Sequence, residues 1–204
     1  MKENNNSKQV LLSVLGVAIL VVAVVGVSFA AFTFSQTGVK TNTITTGTIN
    51  MSYSEPENGI TLTNAMPMSD DTGKALSGPN EIFDFTVTAT INGSGTTTIN
   101  YAITAVTEPG TTLNDDYVKV YLTNMAGDAD TQILAPTVVS SLPKTSSDAS
   151  GAPDGQFILD DGTFTTNGTN EYRLRMWVAD NYAVTGSSET YTLRVNVYGA
   201  ADAQ

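Results

Sequence analysis

The sequence predicts an all-β protein: a two-sheet antiparallel sandwich, jelly-roll-like, preceded by an N-terminal hydrophobic helix. Apolar residues alternate with threonine, serine and charged residues in several segments, which is the period of a strand with one buried face. After Ala30 no segment has the apolar period of a helix. Charged residues make up only 14% of the chain, and hydroxyl residues take many of the other polar positions, as is typical of extracellular β proteins.

The first element is an uncharged run, residues 10–34, that follows a polar start carrying two lysines. This pattern predicts a signal peptide at residues 1–30, with Ser28 and Ala30 before the cut and Ala31 directly after it. A signal peptidase is then a partner during export. The run is also long enough to span a bilayer, which takes about 20 residues. An uncleaved membrane anchor is therefore the alternative, and in both cases the chain meets the membrane only through this leader.

Residues 31–42 are predicted to form an N-terminal strand and a linker. Phe32 and Phe34 fall on one face of an alternating segment, and the polar residues 36–42 join it to the rest of the chain. An extended segment on a tether can add to the open edge of a sheet. We therefore predict that it is an assembly strand, which completes the sheet of a neighbouring copy. The alternative is that both phenylalanines pack into their own domain as its first strand.

Residues 43–204 are predicted to form the sandwich domain. Nine segments carry the strand pattern: residues 43–53, 60–62, 82–91, 97–106, 117–122, 133–139, 157–159, 171–178 and 191–198. The sequence Asn-Gly-Ser-Gly at residues 92–95 predicts a hairpin between the third and fourth segments. Pro136 makes the sixth segment an edge strand, because proline cannot donate to a ladder.

The chain has no histidine and no cysteine. Their absence excludes disulfides, thiolate chemistry, zinc bound by these residues and the usual general base. A net charge of −11 argues against nucleic-acid binding. A hydrolase that uses only carboxylates, such as Asp115 with Asp116 or Asp160 with Asp161, is the rival, but adjacent residues of a strand point to opposite faces. We therefore expect no enzyme activity, no cofactor and no metal.

Acidic residues cluster in four places: Asp70-Asp71, Asp115-Asp116, Asp128 with Asp130, and Asp160-Asp161. Aspartate favours turns, so we expect solvated turn residues at strand ends. Calcium binding is the alternative, because calcium prefers carboxylate-rich loops, but none of the four clusters has the spacing of an EF-hand.

Basic residues are few, with nine lysines and arginines in the whole chain. Arg173, Arg175 and Arg194 are predicted to pair with acidic residues of neighbouring strands, or to form one basic patch if their two strands pair. Lys119 is expected to be an ordinary edge lysine, with an internal lysine–asparagine crosslink as the alternative. Residues 142–145, Leu-Pro-Lys-Thr, begin like a sortase signal, but no glycine follows and the site is mid-chain. We therefore predict a plain loop there, within residues 140–155.

The junction Ala30-Ala31-Phe32 and the segment Asn-Thr-Ile-Thr-Thr-Gly-Thr-Ile at residues 42–49 resemble the TasA/camelysin family. Members have a leader ending in alanine, then a phenylalanine and a strand with a spaced glycine, and the resemblance covers residues 10–50. It implies a secreted jelly-roll subunit that is exported through a dedicated signal peptidase and polymerises into fibres. Camelysin members have been described as metallopeptidases, but this chain has neither histidine nor an HExxH motif to carry that site.

These observations together predict a secreted structural subunit of an extracellular fibre, biofilm matrix or cell-surface layer. The expected partners are further copies of the same chain, joined by strand donation. The alternative is a membrane-anchored surface domain with a binding or adhesion role.

Overall fold

The computed structural model describes residues 33–37, 43–46, 49–54, 60–63, 65–78, 81–91, 98–184 and 189–202. These ranges hold one short α-helix, α1 (Asp70–Lys74), and twelve strands: β1 Thr33–Thr37, β2 Thr43–Thr46, β3 Ile49–Ser54, β4 Ile60–Thr63, β5 Pro67–Met68, β6 Ile82–Ile91, β7 Thr98–Thr107, β8 Val118–Asn124, β9 Thr131–Val138, β10 Phe157–Phe164, β11 Gly168–Ala179 and β12 Thr190–Asp202. The all-β prediction is confirmed.

The strands form two sheets. The first sheet has the order β1-β12-β7-β10, with β4 also paired to β12. The second has the order β2-β3-β6-β11-β8-β9, with β5 beside the end of β11. The sandwich was predicted to be antiparallel, and the pairings within the second sheet are antiparallel except that β5 pairs parallel with β11, which makes this sheet mixed. The edge position of β9, which contains Pro136, is confirmed.

Both sheets contribute to one hydrophobic core, which gives a sandwich-like architecture. Alternate side chains of β6 and β7 are buried in it, and those between them are more exposed in β6. The largest contributions from these two strands are Phe83, Phe85, Val87, Ile99, Tyr101 and Ile103. The alternating pattern therefore predicted the buried face of each strand correctly.

The predicted hairpin between β6 and β7 is wrong. β6 lies between β3 and β11 in the second sheet, whereas β7 lies between β12 and β10 in the first. β11 and β12 likewise belong to different sheets. Each of these strands has one apolar face, and successive strands bury those faces against each other across the core instead of side by side. The predicted strand at residues 43–53 is also two strands, since β2 pairs antiparallel with β3.

The segment after β4 crosses from the first sheet to the second and covers its outer face. β4 pairs with β12, β5 pairs with β11, and α1 then lies on Trp177. A Cβ atom at Gly73 would lie 2.3 Å from the Trp177 ring, so only glycine lets the helix come so close. Trp177 is fully buried as a result. Asp70 and Asp71 were predicted as turn residues but lie in this helix, which Ser69 caps as an N-cap serine usually does.

Residues 142–156 are a loop, as predicted, but they form a packed cover on the outer face of the first sheet. Ala152 packs against Ala102 and Tyr198. The Gln156 side chain accepts a hydrogen bond from Thr104 and donates one of 2.9 Å to the Tyr198 hydroxyl. Thr145, within the predicted sortase-like sequence, is buried.

The predicted leader lies outside the described residues, and so do Ser28, Ala30, Ala31 and Phe32. Among the residues that the structure describes, no helix is long and apolar enough to cross a membrane.

Candidate functional site

The predicted assembly strand lies at one edge of the first sheet. β1, which contains Phe34, neighbours β12, and β7 lies on the other side of β12. β4 takes the same side of β12 as β1, opposite residues 190–193. β1 therefore lies beside the remaining part of β12, from Arg194 towards Asp202.

β12 is buried on both of its faces. Leu193, Val195 and Val197 belong to the core, and Asn196 and Tyr198 on the opposite face are buried as well. The outer face is covered in part by the loop of residues 142–156. The edge that faces β1 is therefore the side on which another strand can reach β12.

The opposite edge of the first sheet is β10, and it carries an aspartate that faces the inside of the sandwich. The register between β10 and β7 shifts between Ile158 and Asp160, which is a β-bulge. Residues directly opposite in an antiparallel ladder share a face. Beyond the bulge the pairs are Asp160 with Ile103, Gly162 with Tyr101, and Phe164 with Ile99. Because these β7 residues are buried in the core, Asp160 faces inward with them.

Asp160, Tyr172, Tyr101 and Asn170 form a polar group between the two sheets, called here the Asp160 cluster. The hydroxyl oxygens of Tyr101 and Tyr172 are 2.9 Å apart, and the Asn170 Nδ2 donates to the Tyr101 hydroxyl at 3.3 Å. The Tyr172 hydroxyl is also a hydrogen-bond partner of Asp160.

Gly162 makes room for this cluster. A Cβ atom at this position would lie 2.8 Å from the Tyr101 hydroxyl oxygen, closer than real Cβ contacts allow. The missing side chain on β10 therefore lets the Tyr101 ring extend towards Tyr172.

The pKa of Asp160 is raised to about 6, mainly by burial and to a lesser degree by the charge of Asp161, while hydrogen bonds from Tyr172 and from the Asp161 backbone act in the opposite direction. Burial also raises the pKa of Tyr172 and of Tyr101. At neutral pH both tyrosines are therefore protonated donors, and Asp160 is the group of the cluster that titrates near physiological pH.

The sequence did not predict the Asp160 cluster. Asp160 and Asp161 were expected in a turn, but both lie within β10. A signal was present, because the alternation that starts at Phe157 breaks at this acidic pair and a glycine follows it. Such a break of phase is typical of a bulge.

The three arginines pair with acidic residues, as predicted. Arg173 Nε lies 2.8 Å from Asp84 Oδ1, and Arg194 Nε lies 2.9 Å from Glu108 Oε1. The single basic patch is wrong, because β11 and β12 lie in different sheets.

Arg175 is buried, with only 3% of its side chain exposed, and it anchors the covering segment. Its Nη1 and Nη2 atoms donate to the two carboxylate oxygens of Asp130 at 3.2 and 2.6 Å. Its Nε donates to the Leu76 carbonyl at 2.7 Å. Burial acts to raise the pKa of Asp130, but hydrogen bonds from Arg175 and Thr123 outweigh it and lower that pKa.

Lys119 is not an edge residue, since β8 lies between β11 and β9. Its Nζ atom forms a 2.7 Å ion pair with Asp70 Oδ1 in the first turn of α1. Asp115 and Asp116 lie in a 3₁₀ turn capped by Asn114, as expected of turn residues. Within the described ranges, no group of three or more acidic residues is arranged to hold a metal ion.

No protein-family model matches the chain, and no curated protein matches its sequence.

Proposed function

We propose that this chain, a jelly-roll-like sandwich behind a cleaved leader, is a secreted structural subunit of an extracellular fibre, biofilm matrix or cell-surface layer. Copies of the same chain are its partners and strand donation is its mode of assembly. It performs no catalysis. One observation carries the proposal: β1 lies at an edge of the first sheet, where its neighbour is β12.

The position of β1 supports exchange between copies. β1 belongs to the first sheet and the next strand, β2, to the second, and only residues 38–42 join them. A strand on a short connection between two sheets can pair with the same edge of another copy and make the same contacts there, as in domain swapping. If β1 leaves, the edge of β12 is open.

Donation in this manner gives an open chain of subunits. The donor surface is β1 and the acceptor surface is the edge of β12, so the contact is heterologous and does not close on itself. The ladder supplies backbone hydrogen bonds, and burial of Phe32 and Phe34 contributes roughly 3–6 kcal/mol before the cost of ordering. The leader precedes β1 directly in the sequence and delays donation until it is removed.

The test replaces Phe32 and Phe34 with serine in the secreted protein. We expect fibres seen by negative-stain microscopy to be lost, because the donated strand no longer fills the acceptor. Met66→Ser is the matched control, since Met66 is 65% exposed and lies outside the edge strands. A peptide of residues 31–42 added in excess should also cap β12 and shorten the fibres, whereas a scrambled peptide should not.

Fibres that persist unchanged in the double variant and in the presence of the peptide would refute strand donation. A variant that loses fibres together with much of its monomer stability would indicate that β1 serves only its own domain.

A further inference from the structure

The outer edge of β10 is only partly covered. At its start, Ile158 N donates to the Pro143 carbonyl at 2.8 Å, and Lys144 lies opposite Phe157. Among the described residues, the part from Asp160 to Phe164 pairs on one side only, with β7. An edge with free backbone groups is a place where another strand can add.

While the Asp160 carboxyl is charged, it disfavours the pairing of another strand with this edge. A strand that docked beside β10 would remove the remaining water from a carboxylate that already faces the inside of the sandwich. Burying a charge without a new partner is costly, and inward-facing charges and bulges are two known protections of sheet edges. Both occur here within three residues of each other.

We propose that the β10 edge is a second association surface, on which the β10 edge of another copy of this chain pairs when Asp160 is neutral. The charge at this edge indicates that the partner strand comes from a second copy of the chain. Two copies related by a two-fold axis present the same acidic edge to each other, and the repulsion between them falls when Asp160 loses its charge. A basic partner would have the opposite dependence, because it would bind the charged form.

The surroundings of Asp160 indicate that the change from monomer to dimer occurs in mild acid. Tyr101 of β7 and Tyr172 of β11 face it and keep their protons, and Asp161 on its own strand is exposed. Burial keeps the Asp160 carboxyl protonated up to about pH 6. The resulting dimer is isologous and closed, unlike the open chain made by strand donation.

The test uses the protein with Phe32→Ser and Phe34→Ser, so that strand donation does not contribute. Size-exclusion chromatography with light scattering should find monomers at about pH 7.5 and dimers at about pH 5. Adding Asp160→Asn should give dimers at both pH values, with a dimer dissociation constant at neutral pH lowered roughly tenfold or more. Adding Thr163→Lys to that variant should restore the monomer, because a lysine protects an edge.

Asp161→Asn is the matched control, because it removes the same charge from the neighbouring exposed position. It should leave the pH dependence in place. The proposal is overturned if Asp160→Asn stays monomeric at both pH values, or if Asp161→Asn has the same effect. Hydrogen exchange must show new protection within residues 160–164, and new protection confined to another part of the chain would also overturn the proposal. Strand donation is judged separately, by the fibres of the protein with both phenylalanines.

Discussion

At the scale of single residues, Asp160 makes stability depend on pH in an unusual direction. Its carboxyl binds a proton more tightly in the folded protein, with a pKa of about 6, than at its ordinary value of 3.8. The folded state therefore holds more protons than the unfolded state between these two values. The contribution of Asp160 to the free energy of unfolding is therefore largest below the ordinary pKa, and it is lost as the pH rises through the pKa of the folded state.

We expect Asp160→Asn to remove this loss. At about pH 7.5 the variant should gain about 1–2 kcal/mol in the free energy of unfolding, a figure reduced because the carboxyl is partly exposed to water. Near pH 4 the variant and the parent should unfold alike. Urea denaturation at the two pH values measures the difference, with Asp161→Asn as the control. An equal gain at both pH values would contradict the assignment.

The sequence predicts the direction of a side chain correctly at some positions and not at others. In β6 the alternation of the predicted strand holds without interruption, and Phe83 and Phe85 on its apolar face are buried in the core. At Asp160 the bulge shifts the phase by one residue, and a side chain expected in a solvated turn faces inward. Arg175 was expected on an outward face and lies there, but the segment of α1 covers that face and buries it. The alternation within a strand does not show whether a segment from elsewhere in the chain covers its outward face.

At the scale of elements, α1 depends on close contact with the only tryptophan of the chain. Gly73→Ala should destabilise the protein by about 1–3 kcal/mol, because the added methyl group overlaps the Trp177 ring. The helix should lift, so tryptophan emission should move to longer wavelength and acrylamide should quench it more. Thr72→Ala, on the exposed side of the same helix, should change neither signal. Unchanged emission in Gly73→Ala would show that the contact is not needed.

Strand positions were predicted better than strand partners. The predicted segment at residues 82–91 coincides with β6, and those at residues 171–178 and 191–198 lie within β11 and β12. The partners of β6 and β7 were wrong because the Asn-Gly sequence after β6 is compatible with a hairpin and equally with a connection between sheets. Alternation specifies which face a strand buries, and the neighbour is decided by contacts with residues far away in the chain.

At the scale of the whole molecule, the edges of the sheets differ in how they are protected. β9 contains Pro136 and pairs irregularly with β8, and β10 has its bulge and Asp160. Both features discourage further strand pairing at neutral pH. In the proposed fibre, growth then proceeds through β1 and β12, and neutral pH favours single unbranched fibres.

The leader is tested at this scale too. We expect the secreted protein to begin at Ala31, because small residues at Ser28 and Ala30 precede the change of pattern. Mass spectrometry of the N-terminus measures this directly. Ala30→Leu should leave the leader attached and reduce release, whereas a conservative Ala30→Ser should not. Intact leader on the parent protein at the cell surface would favour the anchored alternative.

The pairing of β1 with β12 also fixes an order in time. β12 is the last described strand, and among the described strands it is the one neighbour of β1. Pairings between strands so far apart in the sequence form slowly, because the entropy cost of closing a long loop precedes the favourable contacts. In a chain that emerges from its N-terminus first, β1 is therefore made well before its own β12 can pair with it. In the proposed assembly, each new subunit has a donor strand before it has an acceptor edge, and the folding of its own last strand ends that interval.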